Sequence, residues 1–193
     1  MRSDFELLDG WRAGDRVAGN ELVQRYWTSI SRFVTSKLGD DSADLIAQTF
    51  LACVEARDRI AGDNVRAYLF AVARRRIADQ FRTRSRALES VAAESLPSLA
   101  DLRTGVVTEL DRQQRGELLR RALVRIPLDD QIALELAYFE QLSTTELAEV
   151  LDVAEPTVRS RLSRARDKLR ERLEELADSP ELARIAESQL DPR

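Results

Sequence analysis

Histidine is absent from the 193-residue chain, and cysteine occurs once, at Cys53. Without histidine, the chain cannot build the usual zinc sites or use imidazole as a general base. A single cysteine cannot form an intramolecular disulfide, and because Cys53 lies in an apolar helical segment we expect it to fill a core. No nucleophile–base pair, phosphate-binding loop or metal-ligand cluster stands out elsewhere. The sequence therefore predicts a protein that is not an enzyme and needs no cofactor or metal.

Long hydrophobic runs are also lacking. No segment approaches the roughly eighteen consecutive apolar residues of a membrane span. The first residues, MRSDFELLDG, have no apolar core of a signal peptide. We therefore expect a cytoplasmic protein, in which 44% hydrophobic residues suffice for one or two small helical cores.

Basic charge is concentrated in two segments, although the formal net charge is -4 and only two of the 30 basic residues are lysines. Residues 66–86 hold seven arginines against one aspartate, and residues 155–172 hold seven basic residues against three acids. Residues 174–193 hold six acids against two arginines. Because affinity for nucleic acid depends on counterion release by basic side chains, we expect weak binding to bare DNA and a larger partner that carries the chain to its site.

Residues 143–173 have the pattern of a helix-turn-helix, which begins with Ser143 and Glu146 at the S-x-x-E spacing of a capping box. Apolar residues follow where two crossing helices share a small core, and the second helix is rich in arginine. Arginine and short hydroxyl side chains suit the base edges and phosphates of the DNA major groove. The candidate DNA-binding residues of this helix are Thr157, Arg159, Ser160, Ser163, Arg164 and Arg166. The alternative is an ordinary solvated surface helix.

The N-terminal part of the chain, residues 1–84, is predicted to form a helical domain. Apolar residues at three- and four-residue spacing, with Trp27 and Val54 among those assigned to buried stripes, indicate amphipathic helices. The predicted helices span residues 20–38, 43–57 and 65–84, after a shorter helix near residues 5–11.

The helix predicted over residues 65–84 mixes aromatic and basic side chains. This mixture suits single-stranded DNA, because exposed bases stack on aromatic rings while arginines neutralise phosphates. The alternative for Tyr68, Phe70 and Phe81 is a position in the core, which we favour for Phe81.

The remaining segments complete the predicted organisation. Residues 85–110 are poor in aromatic residues and are predicted to be a flexible linker. Residues 111–176 form a second helical domain that contains the helix-turn-helix. Residues 177–193 form an acidic extension, in which Ser179 and Pro180 predict the start of a short helix. This extension either folds back and restrains the basic helix or is a frayed terminus.

Two pairs of segments resemble a known family. T-V-R-S-R-L-S-R-A-R at 157–166, preceded by T-E-L-A-E-V-L at 145–151, looks like the -35 reading region of bacterial sigma-70-type sigma factors. D-L-I-A-Q-T-F-L at 44–51, followed by R-A-Y-L-F-A-V-A-R-R-R-I-A-D-Q-F-R at 66–82, is similar to the second region of the extracytoplasmic-function (ECF) subgroup.

The resemblance implies a fold and a set of partners. The fold is all-α, with two small helical domains, sigma region 2 and sigma region 4, joined by a flexible linker. The partners are core RNA polymerase, through its beta-prime clamp and beta flap, promoter DNA and an anti-sigma factor. Neither a membrane nor a small-molecule substrate is implied.

The resemblance also implies residue roles in the first domain. The helix over 43–57 would dock on the beta-prime clamp, through Asp44, Gln48, Thr49 and Glu55. The helix over 65–82 and the loop before it, residues 59–65, would melt the -10 element and hold a flipped base, which costs a few kcal/mol to extrude. The candidate -10 residues are Asn64, Arg66, Tyr68, Phe70, Arg74, Arg75, Arg76, Asp79 and Arg82.

Several residues depart from the family pattern. Tyr68 stands where tryptophan is usual, Arg75 where asparagine is usual, and Gln48 where glutamate is usual. Asp152 occupies a turn position usually held by glycine, and aspartate tolerates the left-handed conformation that such a turn needs. Ala154 lacks the hydroxyl of a good N-cap, a loss of about 1 kcal/mol.

We therefore expect an ECF-type sigma factor that recognises a -35 duplex and melts a -10 element. One alternative is an autonomous helix-turn-helix regulator that binds duplex operators without polymerase. The lack of an obvious dimerisation helix and the acidic net charge count against it. A second alternative is a helical interaction protein that occupies polymerase without initiating.

Overall fold

The computed structural model describes residues 2–61, 64–88, 109–177 and 180–188. Regular structure within these residues is entirely helical, and the contacts divide the chain into two compact units, Met1–Pro97 and Ser98–Arg193. The predicted all-α fold of two helical domains is therefore confirmed. None of the described helices combines the length and apolar character that a membrane crossing requires. Outside the described residues lie 89–108 of the predicted linker, 62 and 63 of the predicted loop, and Ser179.

The first unit contains the helices α1 (Asp4–Arg12), α2 (Arg16–Leu38), α3 (Ala43–Ala56) and α4 (Val65–Leu88), with a 3-10 turn, Gly39–Ser42, between α2 and α3. Local signals set their ends. A capping box of Ser3 and Glu6 starts α1, and the Asp15 side chain accepts hydrogen bonds from the Val17 and Ala18 amides in the first turn of α2. For this reason α2 begins at Arg16 rather than at residue 20. Gly39 ends α2 at a positive φ of 57°.

The core of the first unit is centred on Phe33 of α2 and Phe70 of α4. Both side chains are fully buried, and their rings meet edge to face with centroids 5.3 Å apart. Leu7 and Leu8 of α1 are also 0% exposed. The helix α1 therefore packs on α2 and is part of the first unit.

The second unit contains α5 (Glu109–Leu123), α6 (Leu128–Leu134), α7 (Thr144–Leu151), α8 (Glu155–Leu176) and α9 (Pro180–Ser188), with a π-helical turn, Glu135–Phe139, directly after α6. Its core cluster includes Leu118, Leu119, Ala122, Leu123, Ile126, Leu134, Ala165, Leu169, Leu173 and Ala183. Ala183 belongs to α9 and is only 5% exposed. The described part of the acidic extension therefore packs on α5 and α8 and is not a frayed terminus.

The helix-turn-helix is formed by α7 and α8. The predicted capping box is confirmed, since Ser143 Oγ accepts from the Glu146 amide at 3.2 Å while the Ser143 amide donates to Glu146 Oε2 at 2.7 Å. Asp152 has the left-handed conformation that the turn needs, with φ 56° and ψ 51°. As predicted, Ala154 provides no side-chain cap to α8.

Candidate nucleic-acid interface

The candidate groove-facing residues of α8 lie on its exposed side. Val158, Ala165 and Leu169 are buried, so the side of α8 that faces away from the candidates packs against the core. All six candidates are exposed: Thr157, Arg159, Ser160, Ser163, Arg164 and Arg166. The Ser160 hydroxyl donates to the Thr157 carbonyl oxygen at 3.0 Å, so its oxygen lone pairs stay available to another donor.

A side-chain hydrogen bond fixes the start of α8 against α7. Thr145 Oγ1 donates to Glu155 Oε1 at 2.7 Å, and Leu147, Leu151 and Val158 fill the space between the helices. The sequence analysis included Glu155 in the helix-turn-helix but did not predict its contact with Thr145. An acid in the first turn of a helix is favoured by the helix dipole, and this signal points to Glu155.

The C-terminal half of α8 uses its basic residues for contacts within the unit. Lys168 Nζ donates to Asp130 Oδ2 at 2.5 Å, and Arg170 donates to Glu187 Oε1 of α9 from Nε at 2.9 Å and from Nη2 at 2.6 Å. The hydrogen bond and the charge of Glu187 raise the pKa of Arg170. The seven basic residues of segment 155–172 are therefore not all available to a ligand.

The basic charge that faces solvent without an acidic partner, among the described residues of α8, lies in its first half and at Arg166 directly after it. Arg159, Arg164 and Arg166 are exposed there. Arg164 bonds only to its own helix, from Nε to the Ser160 carbonyl oxygen at 3.3 Å. This half of α8 is also the half that follows the turn.

The two lysines contribute little to the surface charge. Lys37 is 4% exposed, donates to Ser36 Oγ at 2.8 Å and lies 5.2 Å from the centroid of the Phe33 ring. Lys168 is engaged with Asp130. Arginine therefore supplies most of the positive charge that either basic segment presents to solvent.

The candidate aromatic residues of α4 have different environments. Phe70 is 0% exposed and packs against Phe33, so the prediction that it contacts -10 DNA is wrong. Tyr68 is half-buried, and its hydroxyl donates to the Ala52 carbonyl oxygen at 3.3 Å. Burial raises the pKa of Tyr68. Of the two rings nearest the loop, only that of Tyr68 has surface left for stacking.

The polar candidates around α4 are partly exposed and partly paired. Arg75 is exposed, as are Asp79 and Arg82, which pair with each other. Arg76 is half-buried and donates from Nη1 to Gln48 Oε1 of α3 at 2.6 Å. The remaining candidates, Asn64, Arg66 and Arg74, are half-buried.

The candidate polymerase-binding residues lie along α3. Asp44 and Glu55 are exposed and Gln48 is half-buried. Thr49 is 0% exposed, and its hydroxyl donates to the Leu45 carbonyl oxygen at 2.8 Å. The prediction that Thr49 contacts a partner is therefore wrong, because its position on α3 faces the core.

Large apolar side chains are exposed beside these residues. Leu51 is 55% exposed and Val54 39%, while Trp27 of α2 is 50% exposed and stacks on Phe50 with ring centroids 5.3 Å apart. The assignment of Trp27 and Val54 to buried stripes is thus only partly right. Leu51 was missed, although its place outside the three- and four-residue spacing was a signal of exposure.

Cys53 lies inside the first unit. It is 2% exposed, and burial raises the pKa of its thiol to about 11. The prediction that Cys53 fills the core is confirmed. Among the residues that the structure describes, no group of acidic or cysteine side chains is arranged to hold a metal ion.

Comparison with protein families matches both units. Residues 22–87 match the model for sigma-70 region 2, and residues 116–169 match the model for sigma-70 region 4. The ECF RNA polymerase sigma factor SigM of Mycobacterium tuberculosis is 30% identical over 171 residues, covering 87% of this chain and 83% of SigM. The ECF RNA polymerase sigma-E factor of Escherichia coli is 28% identical over 188 residues, covering 90% and 96% of the two chains.

Two solved structures share the fold. The sigma factor RpoE of Bartonella quintana, in complex with the anti-sigma factor NepR, gives a TM-score of 0.67 at 22% identity, covering 83% of this chain and 98% of RpoE. CnrH, in complex with the cytosolic domain of CnrY, gives a TM-score of 0.62 at 22% identity, covering 92% and 100% of the two chains. With both regions matched in order and SigM similar along most of its length, the chain belongs to the ECF sigma factors of the sigma-70 family.

Proposed function

We propose that this chain binds core RNA polymerase and directs initiation at specific promoters, reading the -35 duplex with α8 and opening the -10 element with α4 and the loop before it. The observation that carries the proposal is the exposed face of α8, where the six candidate residues lie opposite Val158 and Ala165. A helix with arginines and small hydroxyl side chains on one exposed face meets the requirements of major-groove recognition. In this proposal the chain acts by binding rather than by catalysis.

The -35 element is read by the first half of α8. Arg159, Arg164 and Arg166 reach base edges or phosphates, while the short side chains between them let the helix approach the groove closely. Phosphate contacts supply most of the affinity, and each good bidentate base contact supplies about 1–3 kcal/mol of discrimination.

The -10 element is opened at the start of α4. Tyr68 has a partly exposed ring beside the loop, and Arg75 and Arg82 supply exposed charge along the helix. An unpaired base stacks on such a ring while arginines neutralise the neighbouring phosphates. Asn64, which directly precedes α4 and is half-buried, is the proposed polar contact to the same base.

The polymerase contact is formed by α3 and the adjoining side of α2. Leu51, Val54 and Trp27 supply apolar surface, and Asp44 and Glu55 supply acidic groups beside it. Protein interfaces combine an apolar centre with a polar rim, and neighbouring exposed apolar side chains of two packed helices suit such a centre. The beta-prime clamp is the proposed partner of this surface, and the beta flap that of the second unit.

An anti-sigma factor is the proposed regulatory partner. RpoE and CnrH, which share the fold, are each seen in complex with a second protein, and for RpoE that protein is an anti-sigma factor. The likeness is in fold alone, so the identity of the partner is not carried over.

Run-off transcription tests the proposal. Purified bacterial core polymerase, with and without this protein, transcribes sheared genomic DNA from the source organism, and the 5′ ends are mapped. New start sites that share spaced -35 and -10 sequences are expected. Co-elution with core polymerase but no new starts would instead indicate a polymerase-binding regulator, and neither result would leave the autonomous DNA-binding regulator as the better interpretation.

A further inference from the structure

The end of α1 contacts the turn that leads from α3 toward α4. Arg12, the last residue of α1, donates from Nε to the Arg57 carbonyl oxygen at 2.9 Å and from Nη2 to the Ile60 carbonyl oxygen. Arg12 lies outside residues 22–87, the segment that matches sigma-70 region 2. The contact therefore joins the turn to a helix that the family match does not cover.

The turn has carbonyl groups that accept no hydrogen bond from the backbone of the turn itself. The amides of Arg59 and Ile60 both donate hydrogen bonds to the Ala56 carbonyl oxygen, at 2.8 and 3.1 Å, where α3 ends. The last carbonyl groups of a helix have no partner within the helix, and the helix dipole favours a cation beside them. A guanidinium has several N–H donors in one rigid plane, so one Arg12 side chain fixes the positions of two carbonyl oxygens.

Packing on the other side of the turn supports the same geometry. The Arg57 guanidinium lies over the Trp11 ring, 5.9 Å from its centroid, and the Ile60 side chain is 5% exposed. Trp11 packs closely on α2 at Gly19, where an added Cβ would lie 2.6 Å from Trp11 Nε1. The backbone of the turn is thus held by Arg12, and its side chains by Trp11 and the core.

We propose that Arg12 is a positioning residue for promoter opening: it holds the Arg57–Ile60 turn, and so the approach to α4, in place before this part of the unit meets the displaced DNA strand. The inference rests on the proposed function of the loop before α4 in -10 opening. Arg12 acts through the backbone and does not contact DNA. A turn that is already held in one geometry adds no ordering cost when a flipped base is captured beside it.

Hydrogen exchange of the free protein tests the anchor itself, independently of transcription. The variant is Arg12→Gln, and the matched control is Arg16→Gln, which removes the same charge from an exposed position at the start of α2. We expect the amides of Arg59 and Ile60 to exchange about tenfold faster in Arg12→Gln, because charged hydrogen bonds are lost, and to be unchanged in Arg16→Gln. Arg12→Lys keeps the charge but lacks the planar fork, so an intermediate rate is expected. Equal exchange in all four proteins would overturn the inference.

The second measurement uses the holoenzyme with core polymerase on a promoter found by run-off transcription. A fluorescent base analogue in the -10 element reports the opening rate on duplex DNA and on a template already unpaired there. We expect Arg12→Gln to slow opening of the duplex about tenfold, with a smaller deficit on the unpaired template and unchanged affinity for polymerase. Arg12→Lys should recover part of the rate.

The outcomes separate this inference from the proposed function. Normal opening by Arg12→Gln, or an equal loss on both templates together with weaker polymerase binding, would overturn a role in positioning. Failure of the wild-type holoenzyme to open any promoter would overturn the proposed function and, with it, the role of Arg12 in opening, whatever the exchange rates show.

Discussion

Arg76 Nη1 donates a hydrogen bond to Gln48 Oε1 at 2.6 Å, and this bond joins the helix proposed to open DNA to the helix proposed to contact polymerase. Gln48 in turn donates from Nε2 to Asp44 Oδ2 at 2.5 Å. The three side chains form a continuous chain from the exposed start of α3 to α4. Gln48 and Arg76 therefore do not act as independent surface residues.

A double-mutant cycle measures this connection. Gln48→Ala and Arg76→Ala should show a coupling free energy of about 0.5–1.5 kcal/mol in urea unfolding, because each removes the same hydrogen bond. The matched pair is Gln48→Ala with Arg75→Ala, since Arg75 is exposed on the same helix and has no contact with Gln48. Coupling as large in the matched pair would show that the effect is general to α4.

Arg159 and Arg82 should differ in their effect on promoter choice. Arg159→Ala should change the ranking of promoters, with about 1–3 kcal/mol lost where a base contact is removed. Arg82→Ala should weaken initiation at all promoters alike, as loss of a phosphate contact does. Run-off transcription on a set of promoters measures both, with Arg16→Ala as a control at an exposed site outside both basic segments. If both variants weakened all promoters equally, the assignment of roles would be wrong.

Two glycine substitutions should have opposite effects on stability. Gly19→Ala places a Cβ 2.6 Å from Trp11 Nε1, so the free energy of unfolding should fall by about 1–3 kcal/mol. Gly116 lies in α5, and no atom lies within 4 Å of the Cβ that Gly116→Ala adds. The free energy of unfolding should therefore rise by about 0.5–1 kcal/mol. Urea unfolding measures both. A neutral Gly19→Ala would show that Trp11 is free to move aside.

The N-cap residue of α8, Ala154, can be replaced by one that caps the helix better. Ala154 has φ -68° and ψ 147°, the extended conformation of an N-cap residue, but no side-chain oxygen. Ala154→Ser should therefore raise the free energy of unfolding by about 1 kcal/mol, while Ala154→Val, which is also unable to accept a hydrogen bond, should not. Thermal unfolding of the full chain compares the two.

Removal of the tail, residues 178–193, tests whether the tail stabilises the second unit by packing or restrains α8 from binding DNA. In the described residues, Glu187 contacts Arg170, one turn beyond Arg166, and the six groove-facing residues of α8 remain exposed. We therefore expect the truncated chain to lose about 1–3 kcal/mol of stability, because Ala183 leaves the core cluster. Stronger promoter binding with unchanged stability would support the hypothesis that the tail restrains α8, and Glu187→Gln isolates the ion pair.

Local signals allowed much of the fold to be predicted. Several helix ends are set by residues that act on neighbours only a few positions away, namely Ser143 with Glu146, Asp152 and Gly39. These helix ends could therefore be predicted from the sequence. The exposed face of α8 followed from the spacing of Val158 and Ala165 in the same way.

Contacts between distant segments could not be predicted from such local signals. Phe70 and Tyr68 are two residues apart on one helix, and which of them is buried depends on Phe33 in α2. Thr49 faces inward because of how α3 packs. The contact of Arg12 spans 45 residues to Arg57, and no short motif marks its partners.

The scarcity of accessible lysine has a practical and a regulatory consequence. Because Lys37 is 4% exposed, an amine-reactive dye applied to the folded chain has Lys168, whose side chain is 46% exposed, as its accessible side-chain amine. The label would sit on α8, two residues after Arg166 and eleven after Thr157, and would report the environment of the nearest residues proposed to read DNA. Acetylation removes the charge of lysine but does not act on a guanidinium, so the arginines that carry most of the positive charge are insensitive to that modification.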